Sequence, residues 1–418
     1  MNDERNVRRG LGLVLVFMIM FLDVIGIAII MPVMPAFLEQ LTGADIGTAA
    51  IDGGWLLFVY SAMQFLFAPL IGNLSDRFGR RPVLLVSVLT FAIDNLICAL
   101  ATSFWMLFVG RVLAGISGAS FGTAAAYIAD VSTDKTRAKN FGRIGIAFGT
   151  GFALGPVIGG LLGEFGPRVP FYGAALLAFL NFAIAWALLP ESLQEKHRRR
   201  FEFARSNPLG ALKQMRGYPG LIWVMLVFFC YWLAHSVYPA VWSFVSAYRY
   251  GWSEGQIGLS LGIFGVGAAL VMAFLLPRVV PVLGEWRTVA LGLSFSVLGL
   301  AGYAAAWQGW MVYAVIVMTT IENLADPPLR SIAAAKVPPS AQGELQGALS
   351  SLSSITTIIG PLIFTQMFGF FTGPAAPFSF AGAPYALAAV ILLSGVAVFV
   401  LKVRGRPGEG AEAVEAAT

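Results

Sequence analysis

Asp23, Asp94, Arg111, His235, Glu322 and Asp326 each stand inside a long apolar run of this 418-residue chain. An isolated charge in such surroundings is expensive, so each is expected to face a cavity or a partner. An aspartate set against Arg111 can form a fixed structural pair. Alternatively it can bind and release a proton, because an arginine favours the charged carboxylate while burial favours the neutral one. Asn95 follows Asp94 and adds an amide at the same depth. His235 and Tyr238, in the stretch YWLAHSVYPAVW, could line a path; a lone histidine serves equally as a structural hydrogen-bond donor. Cys98 and Cys230 lie in apolar runs and imply neither a disulfide frame nor a metal site. The chain shows no phosphate loop, zinc pattern or nucleophile motif, so enzyme chemistry is not expected.

The elements that must position these groups are membrane spans. Hydrophobic residues make up 58% of the chain and charged residues 12%, against roughly 25% charged in a soluble domain. Apolar runs long enough for a crossing, about 20 residues, recur along the whole length. They place twelve spans near 11–37, 53–74, 82–101, 105–129, 141–163, 170–190, 218–247, 255–277, 287–307, 309–335, 345–370 and 378–402. The first run carries Asp23, Pro32 and Pro35 and is too long for a signal-peptide core, so it is expected to be a retained span. Of the 27 lysines and arginines, all but Arg111, Arg168 and Arg249 fall on one side of this layout. The positive-inside rule then puts both termini and the central loop in the cytoplasm, as for an inner-membrane protein. The net charge of +5 is topological, and nucleic acid is not an expected partner. Membrane lipid is one: the run KHRRR, residues 196–200, is suited to anionic headgroups.

The layout divides the chain into a six-helix bundle over 1–190, a central cytoplasmic loop over 191–217, a second bundle over 218–402 and a cytoplasmic tail over 403–418. One gapless register superposes parts of the halves: Gly79 falls on Gly284, Gly142 on Gly347, and Gly155-Pro156 on Gly360-Pro361. The expected fold is all-α and integral to the membrane, with twelve helices in two pseudo-symmetric halves and a path between them near the midplane.

Two motifs carry mechanics. GNLSDRFGRRPVLL, residues 72–85, spans the turn between spans 2 and 3. Gly72 is expected to allow close helix approach and Gly79 a tight turn. Asp76 can accept charge-assisted bonds from an arginine, with Arg77, Arg80 and Arg81 at hand, and from a helix N-terminus. The other reading is a basic turn with no switching role. GFALGPVIGG, residues 151–160, sets Gly151, Gly155, Gly159 and Gly160 around Pro156. Small residues let another helix reach the backbone, and the proline bends span 5.

The first motif resembles the signature of the major facilitator superfamily, and the second is similar to that superfamily's antiporter motif. LFVGRVLAGISGAS around Arg111 resembles its span-4 arginine motif. Most of residues 15–165 looks like the tetracycline-efflux branch of the drug:proton antiporters, as does GELQGALSSLSSITTIIGPLIFTQMF in the second half. The resemblance implies the major facilitator fold and proton-coupled export. It implies cavity charges at Asp23, Asp94 and Arg111, a substrate-facing Gln64, and gating by Asp76 and Asp130. It also stops at identifiable places. The branch has a histidine in span 8 and an aspartate in span 9, where this chain reads GIFGVGAALV and ALGLSFSVLGLAGYAAA. In span 10 the branch is largely small and apolar, whereas this chain reads TTIENLADPPLR.

On a continuous helix Glu322 and Asp326 share a face. Pro327 and Pro328 cannot donate backbone bonds, so the span is expected to kink or break at Asp326. Two readings stay open: Asp326 pairs with Arg330 while Glu322 is bonded to a neighbouring helix, or Glu322 and Asp326 form an acidic wall for a cationic substrate or a coupling proton. The primary expectation is a proton-coupled exporter of small amphipathic or cationic compounds that works as a monomer. The proton is its coupling ion, and no other cofactor is expected. A narrow-substrate transporter, such as a sugar or organic-acid symporter, and a non-transporting receptor or scaffold are the rivals.

Overall fold

The computed structural model describes residues 2–199, 212 and 215–403; the rest of the central loop and the tail, with their basic residues, lie outside it. Among the described residues the chain is helical and has no strand. Among the described residues ten helical stretches are long and apolar enough to cross a bilayer. One of them, Glu254–Ala305, has 52 residues and holds two of the expected spans. It turns at Gly284, whose φ of 73° and ψ of 165° are not helical. The expected tenth span is absent from the ten because it is broken into pieces, as described below. With that division and that break, all twelve expected spans are accounted for.

By contacts, the chain forms two compact units: Met1–Asn207 with Trp252–Gly265, and Pro208–Gly251 with Val266–Thr418. The helices of the first are α1 (Asn2–Ala28), α2 (Met34–Thr42), α3 (Ile46–Phe78), α4 (Arg80–Leu100), α5 (Phe104–Gly118), α6 (Phe121–Val131), α7 (Asp134–Gly163) and α8 (Val169–Leu188). Then follow α9 (Leu221–His235), α10 (Val237–Tyr250), α11 (Glu254–Leu270), α12 (Leu276–Ala305), α13 (Gly309–Thr319), α14 (Asp326–Ala334), α15 (Gln342–Thr372) and α16 (Ala383–Val398). Several spans are pairs of helices: α1 and α2, α5 and α6, and α9 and α10 are each parted by a short break.

Helices in lipid gain little from burying apolar surface, so close backbone packing has to hold them together. The glycines of α7 supply it within the first unit. A Cβ on Gly151 would stand 2.7 Å from the Val24 side chain, one on Gly155 2.7 Å from the Ala28 Cβ, and one on Gly159 would collide with the Ile29 carbonyl. These three are four residues apart, so they form a single groove filled by the end of α1. The opposite face of α7 meets the start of α11: a Cβ on Gly160 would strike the Glu254 backbone, and one on Gly258 the Pro156 carbonyl. Glu164 joins the same two ends. Its carboxyl is held below its ordinary pKa by the Ser253 hydroxyl and the Gly255 N–H, the latter at 3.0 Å from Oε1.

The two superposed turns share a backbone form, with φ of 104° at Gly79 and 73° at Gly284. The register gains a further correspondence from the two arginines on the sparsely charged side. Arg168 Nη1 donates to the Ala99 carbonyl at 2.8 Å, and Arg249 Nη1 to the Ala304 carbonyl at 2.9 Å. Positions 99 and 304 fall on each other in the register that superposes Gly79 and Gly284. Each arginine satisfies a carbonyl at the C-terminal end of a helix, where cations are favoured.

One expectation about the glycines needs correction. A Cβ on Gly72 would meet nothing within 4 Å, so Gly72 makes no close helix approach in this structure. The two sites therefore predict opposite outcomes. Gly159→Ala should destabilise the protein by about 1–3 kcal/mol through overpacking, while Gly72→Ala should leave it as stable or slightly more so. Thermal unfolding of the two variants in detergent makes the comparison; equal melting points would remove the α1–α7 groove from the account.

Candidate functional site

In the first unit Asp94 comes from the middle of α4 and Arg111 from the middle of α5. Asp94 is fully buried, and Arg111 Nη2 reaches its Oδ2 at 2.7 Å. The same nitrogen donates to Cys98 Sγ at 3.3 Å, while the Cys98 thiol donates to Asp94 Oδ1 at 3.4 Å. Asp94 and Cys98 are one turn apart on α4, and α5 can approach them because position 110 is glycine. A Cβ there would stand 2.9 Å from both Asp94 Oδ1 and Cys98 Sγ. Asp94 thus takes the form of the fixed pair.

Asp23 does not join that pair. It lines a small recess with Ile27, Tyr60, Ser87, Phe91, Ser117, Gly118 and Phe121. Its Oδ1 is buried and has no hydrogen-bond partner among the described residues. Gln64 borders the recess through a 3.1 Å bond from Nε2 to the Gly118 carbonyl. Asn95 is fully buried; its amide donates to the Phe91 carbonyl at 2.9 Å, and its Oδ1 has no partner among the described residues.

The turn between α3 and α4 is built around Arg80. Its guanidinium meets Asp76 Oδ1 at 2.6 Å, Asp130 Oδ2 at 3.2 Å and the Ser75 hydroxyl at 2.6 Å. Asp76 and Asp130, distant in sequence, therefore share one cation. Arg81 reaches the Trp186 carbonyl at 2.7 Å, and Arg77 lies over the Phe78 ring, 5.0 Å from its centroid. Glu191 completes the turn. Its carboxylate accepts from the backbone N–H of Arg80 at 2.9 Å and of Arg81 at 3.1 Å, satisfying orphan donors at the start of α4. A Cβ on Gly79 would run into that carboxylate.

The second unit gathers His235, Tyr238 and Glu322 into one cluster. Span 10 breaks where expected, immediately before Asp326. After α13, residues Thr320–Leu324 form a 3-10 turn, and α14 starts at Asp326 with its prolines in the first turn, where a missing N–H costs nothing. This break separates the two acids. Glu322 is buried; its Oε1 lies 3.3 Å from His235 Nε2 and its Oε2 accepts from the Tyr238 hydroxyl at 3.3 Å. Asp326 instead binds Arg330, Oδ2 to Nε at 2.9 Å, and Arg330 stands over the Phe228 ring at 5.3 Å. His235 is the last residue of α9, and the break before α10 turns Tyr238 to the same carboxylate.

Three groups of contacts lay beyond the sequence reading. Cys98 has no sequence signal beyond its place in an apolar run, Glu191 sits at the edge of a polar loop with no motif to flag it, and the aromatic neighbours of Tyr238 come from three helices. Trp242 and Tyr303 lie edge to face at 5.1 Å between centroids, Tyr303 and Tyr385 at 5.6 Å, and Tyr238 and Tyr303 at 5.9 Å. The one available signal was the unusual crowding of aromatics in YWLAHSVYPAVW.

A family model of the Major Facilitator Superfamily matches residues 16–361. The chain is 39% identical over 347 residues to a tetracycline resistance protein, class C, of Escherichia coli, covering 83% of this chain and 87% of that one. It is 30% identical over 370 residues to multidrug resistance protein 2 of Bacillus subtilis (strain 168), covering 87% and 89%. Its structure resembles that of a bacterial homolog of the human lysosomal transporter Spinster, with a TM-score of 0.75 at 17% identity over 95% of this chain and 97% of that one.

The Asp94–Arg111 geometry predicts a double-mutant result. Asp94→Asn leaves Arg111 buried without its counter-charge and should lower the unfolding free energy by about 3–5 kcal/mol. Adding Arg111→Gln should restore most of that. Calorimetry on the three variants measures the coupling; strictly additive losses would mean that the two side chains do not depend on each other.

Proposed function

The chain belongs to the major facilitator superfamily, and on that premise we propose that it is a proton-coupled secondary exporter of small amphipathic or cationic compounds. Its fold is that of a multi-pass membrane transporter, and its substrate is a small molecule. The observation that carries the coupling is the half-buried Asp23, whose buried Oδ1 has no hydrogen-bond partner among the described residues while Asp94 is already neutralised by Arg111. A carboxylate without a counter-ion in a membrane interior is stable when protonated and costly when not. Opening of its recess to water on one side would release the proton, and opening on the other would reload it. In this reading Ser117, which lines the recess, and Gln64, which borders it, contact a substrate that enters in the proton's stead.

The names of the relatives support export of tetracycline-like or other drug-like compounds, and the antiporter glycines of α7 support exchange over symport. The proton is the coupling ion in this reading. Both termini lie in the cytoplasm of a cell whose inner membrane holds the protein, as the distribution of lysine and arginine argues. The protein works as a monomer, its basic loops meet anionic lipid, and nucleic acid has no role. The Arg80 network with Asp76 and Asp130 acts as the gate at the basic face, closed while its ion pairs hold.

Proteoliposome flux tests the reading. An imposed pH gradient should drive accumulation of tetracycline or ethidium, and a protonophore should abolish it. Asp23→Asn should lower gradient-driven flux at least about tenfold while leaving counterflow without a gradient. Flux that is indifferent to the gradient in the parent protein would sink proton coupling. Intact driven flux in Asp23→Asn would move the coupling site elsewhere.

A further inference from the structure

We propose that the second unit holds an anionic phospholipid at the start of α9, with an acyl chain in an apolar groove and the phosphate beside two lysines. The site lies apart from the membrane acids and stands independently of the exporter reading. The groove has a volume of about 300 Å³ and is lined by aliphatic and aromatic side chains alone. Ile222, Leu226 and Phe229 of α9 line it at helical spacing, with Met215 from the segment before the helix and Leu352 from α15. From Leu221 to Phe229 the helix rises about 12 Å at 1.5 Å per residue. That is most of one leaflet of a hydrocarbon core about 30 Å thick. A groove that offers water no polar partner takes hydrocarbon instead.

The end of the groove at the start of α9 is positive. Trp223 lines it, and Lys402 Nζ lies 5.5 Å from the centroid of the Trp223 ring. Lys402 belongs to the π-helical turn Phe399–Val403 that ends the last span. Lys336, just beyond α14, approaches the residue before α9: a Cβ on Gly220 would stand 3.5 Å from its Nζ. The ion pairs among the described residues use neither lysine. No side chain caps α9, and the Ile222 and Trp223 N–H groups have no partner among the described residues. Free N–H groups at a helix start favour an anion, a phosphate in particular. The sequence adds Lys213 and Arg216 next to the lining residues Leu212 and Met215.

Groove and cations together select the occupant. A zwitterionic lipid would fill the groove but would bring its own cationic group against the lysines. An organic cation, the substrate class of the exporter reading, would meet two like charges and no acid. An anionic phospholipid answers both features at once. Its chain lies beside Leu226 and Phe229, and its phosphate meets Lys336, Lys402 and the start of α9. Anionic lipids are drawn to lysines placed at a membrane surface, and Trp223 is the kind of ring that sits at headgroup level.

Lipid retention by the purified full chain tests this without any transport. The protein is held in detergent with equal amounts of dioleoyl phosphatidylglycerol and dioleoyl phosphatidylcholine and read by native mass spectrometry. It should keep phosphatidylglycerol at least about tenfold over phosphatidylcholine. Lys336→Gln combined with Lys402→Gln should lower that preference about tenfold. Leu226→Trp, which fills the groove, should lower retention of phosphatidylglycerol, while Leu180→Trp, at an exposed leucine of α8, should not. Ile222→Trp serves in place of Leu226→Trp if the latter does not fold. Equal retention of the two lipids by the parent protein overturns the proposal. So does an undiminished preference in the double lysine variant, or full retention in the groove variant. Release of the lipid by tetraphenylphosphonium would give the groove to a cation and overturn it as well.

Discussion

A charge carried into hydrocarbon must be neutralised within reach of its own side chain, at a cost of at least about 2.5–3.5 kcal/mol where it is not. The charged interior of this protein is arranged by that constraint. Arg111 answers Asp94 permanently. Arg330 answers Asp326 from one turn along the same helix. Glu322 is answered by an imidazole and a phenol, and Asp23 keeps one oxygen with no partner among the described residues. The four acids thus run from ion-paired to partly unpartnered, although all four read alike as carboxylates in apolar runs. The helix breaks follow the same constraint. α9 ends at His235 and α13 gives way to a 3-10 turn holding Glu322, so the irregular backbone lies where polar side chains can meet across it.

Packing has a different basis from that of a soluble core. The contacts that hold α7 to α1 and to the start of α11 set glycines against small side chains and backbone carbonyls, with no bulky side chain between. Two grooves on one helix explain why the antiporter motif needs glycines at two spacings, with 151, 155 and 159 toward α1 and 160 toward α11. Gly72 belongs to an equally glycine-marked motif but has open space beside it. Motif membership therefore does not state what a glycine does; the neighbouring backbone does.

The turn between α3 and α4 shows how little a loop motif reveals of its partners. Arg80 is read by Asp76 from its own segment, but also by Asp130 from the end of α6. Glu191, after α8, caps the helix that Arg80 begins. In the second unit the matching turn keeps the glycine conformation at Gly284 and places Glu285 against the Ser331 hydroxyl. The backbone of the turn is repeated and its ionic network is not, which agrees with the loss of an acid at the position matching Asp76.

The sequence by itself determined the membrane class, the all-helical fold, the internal register and which charged residues stand in apolar runs. Each of these rests on local composition: runs of apolar residues, the placement of lysine and arginine, and glycines at fixed offsets. Folding decided which carboxylate meets which partner. His235 and Glu322 are 87 residues apart, and no spacing rule links them. The sequence left Asp326 open between Arg330 and a cavity, and it placed the break of span 10 at Asp326, where the new helix starts. The structure adds the form of the break: Thr320–Leu324 tighten into a 3-10 turn and the prolines fit the first turn of the new helix, which separates Glu322 from Asp326. Pairing in a low-dielectric interior depends on separations of a few ångströms, and those are set by how the helices break and pack, which only the tertiary structure supplies.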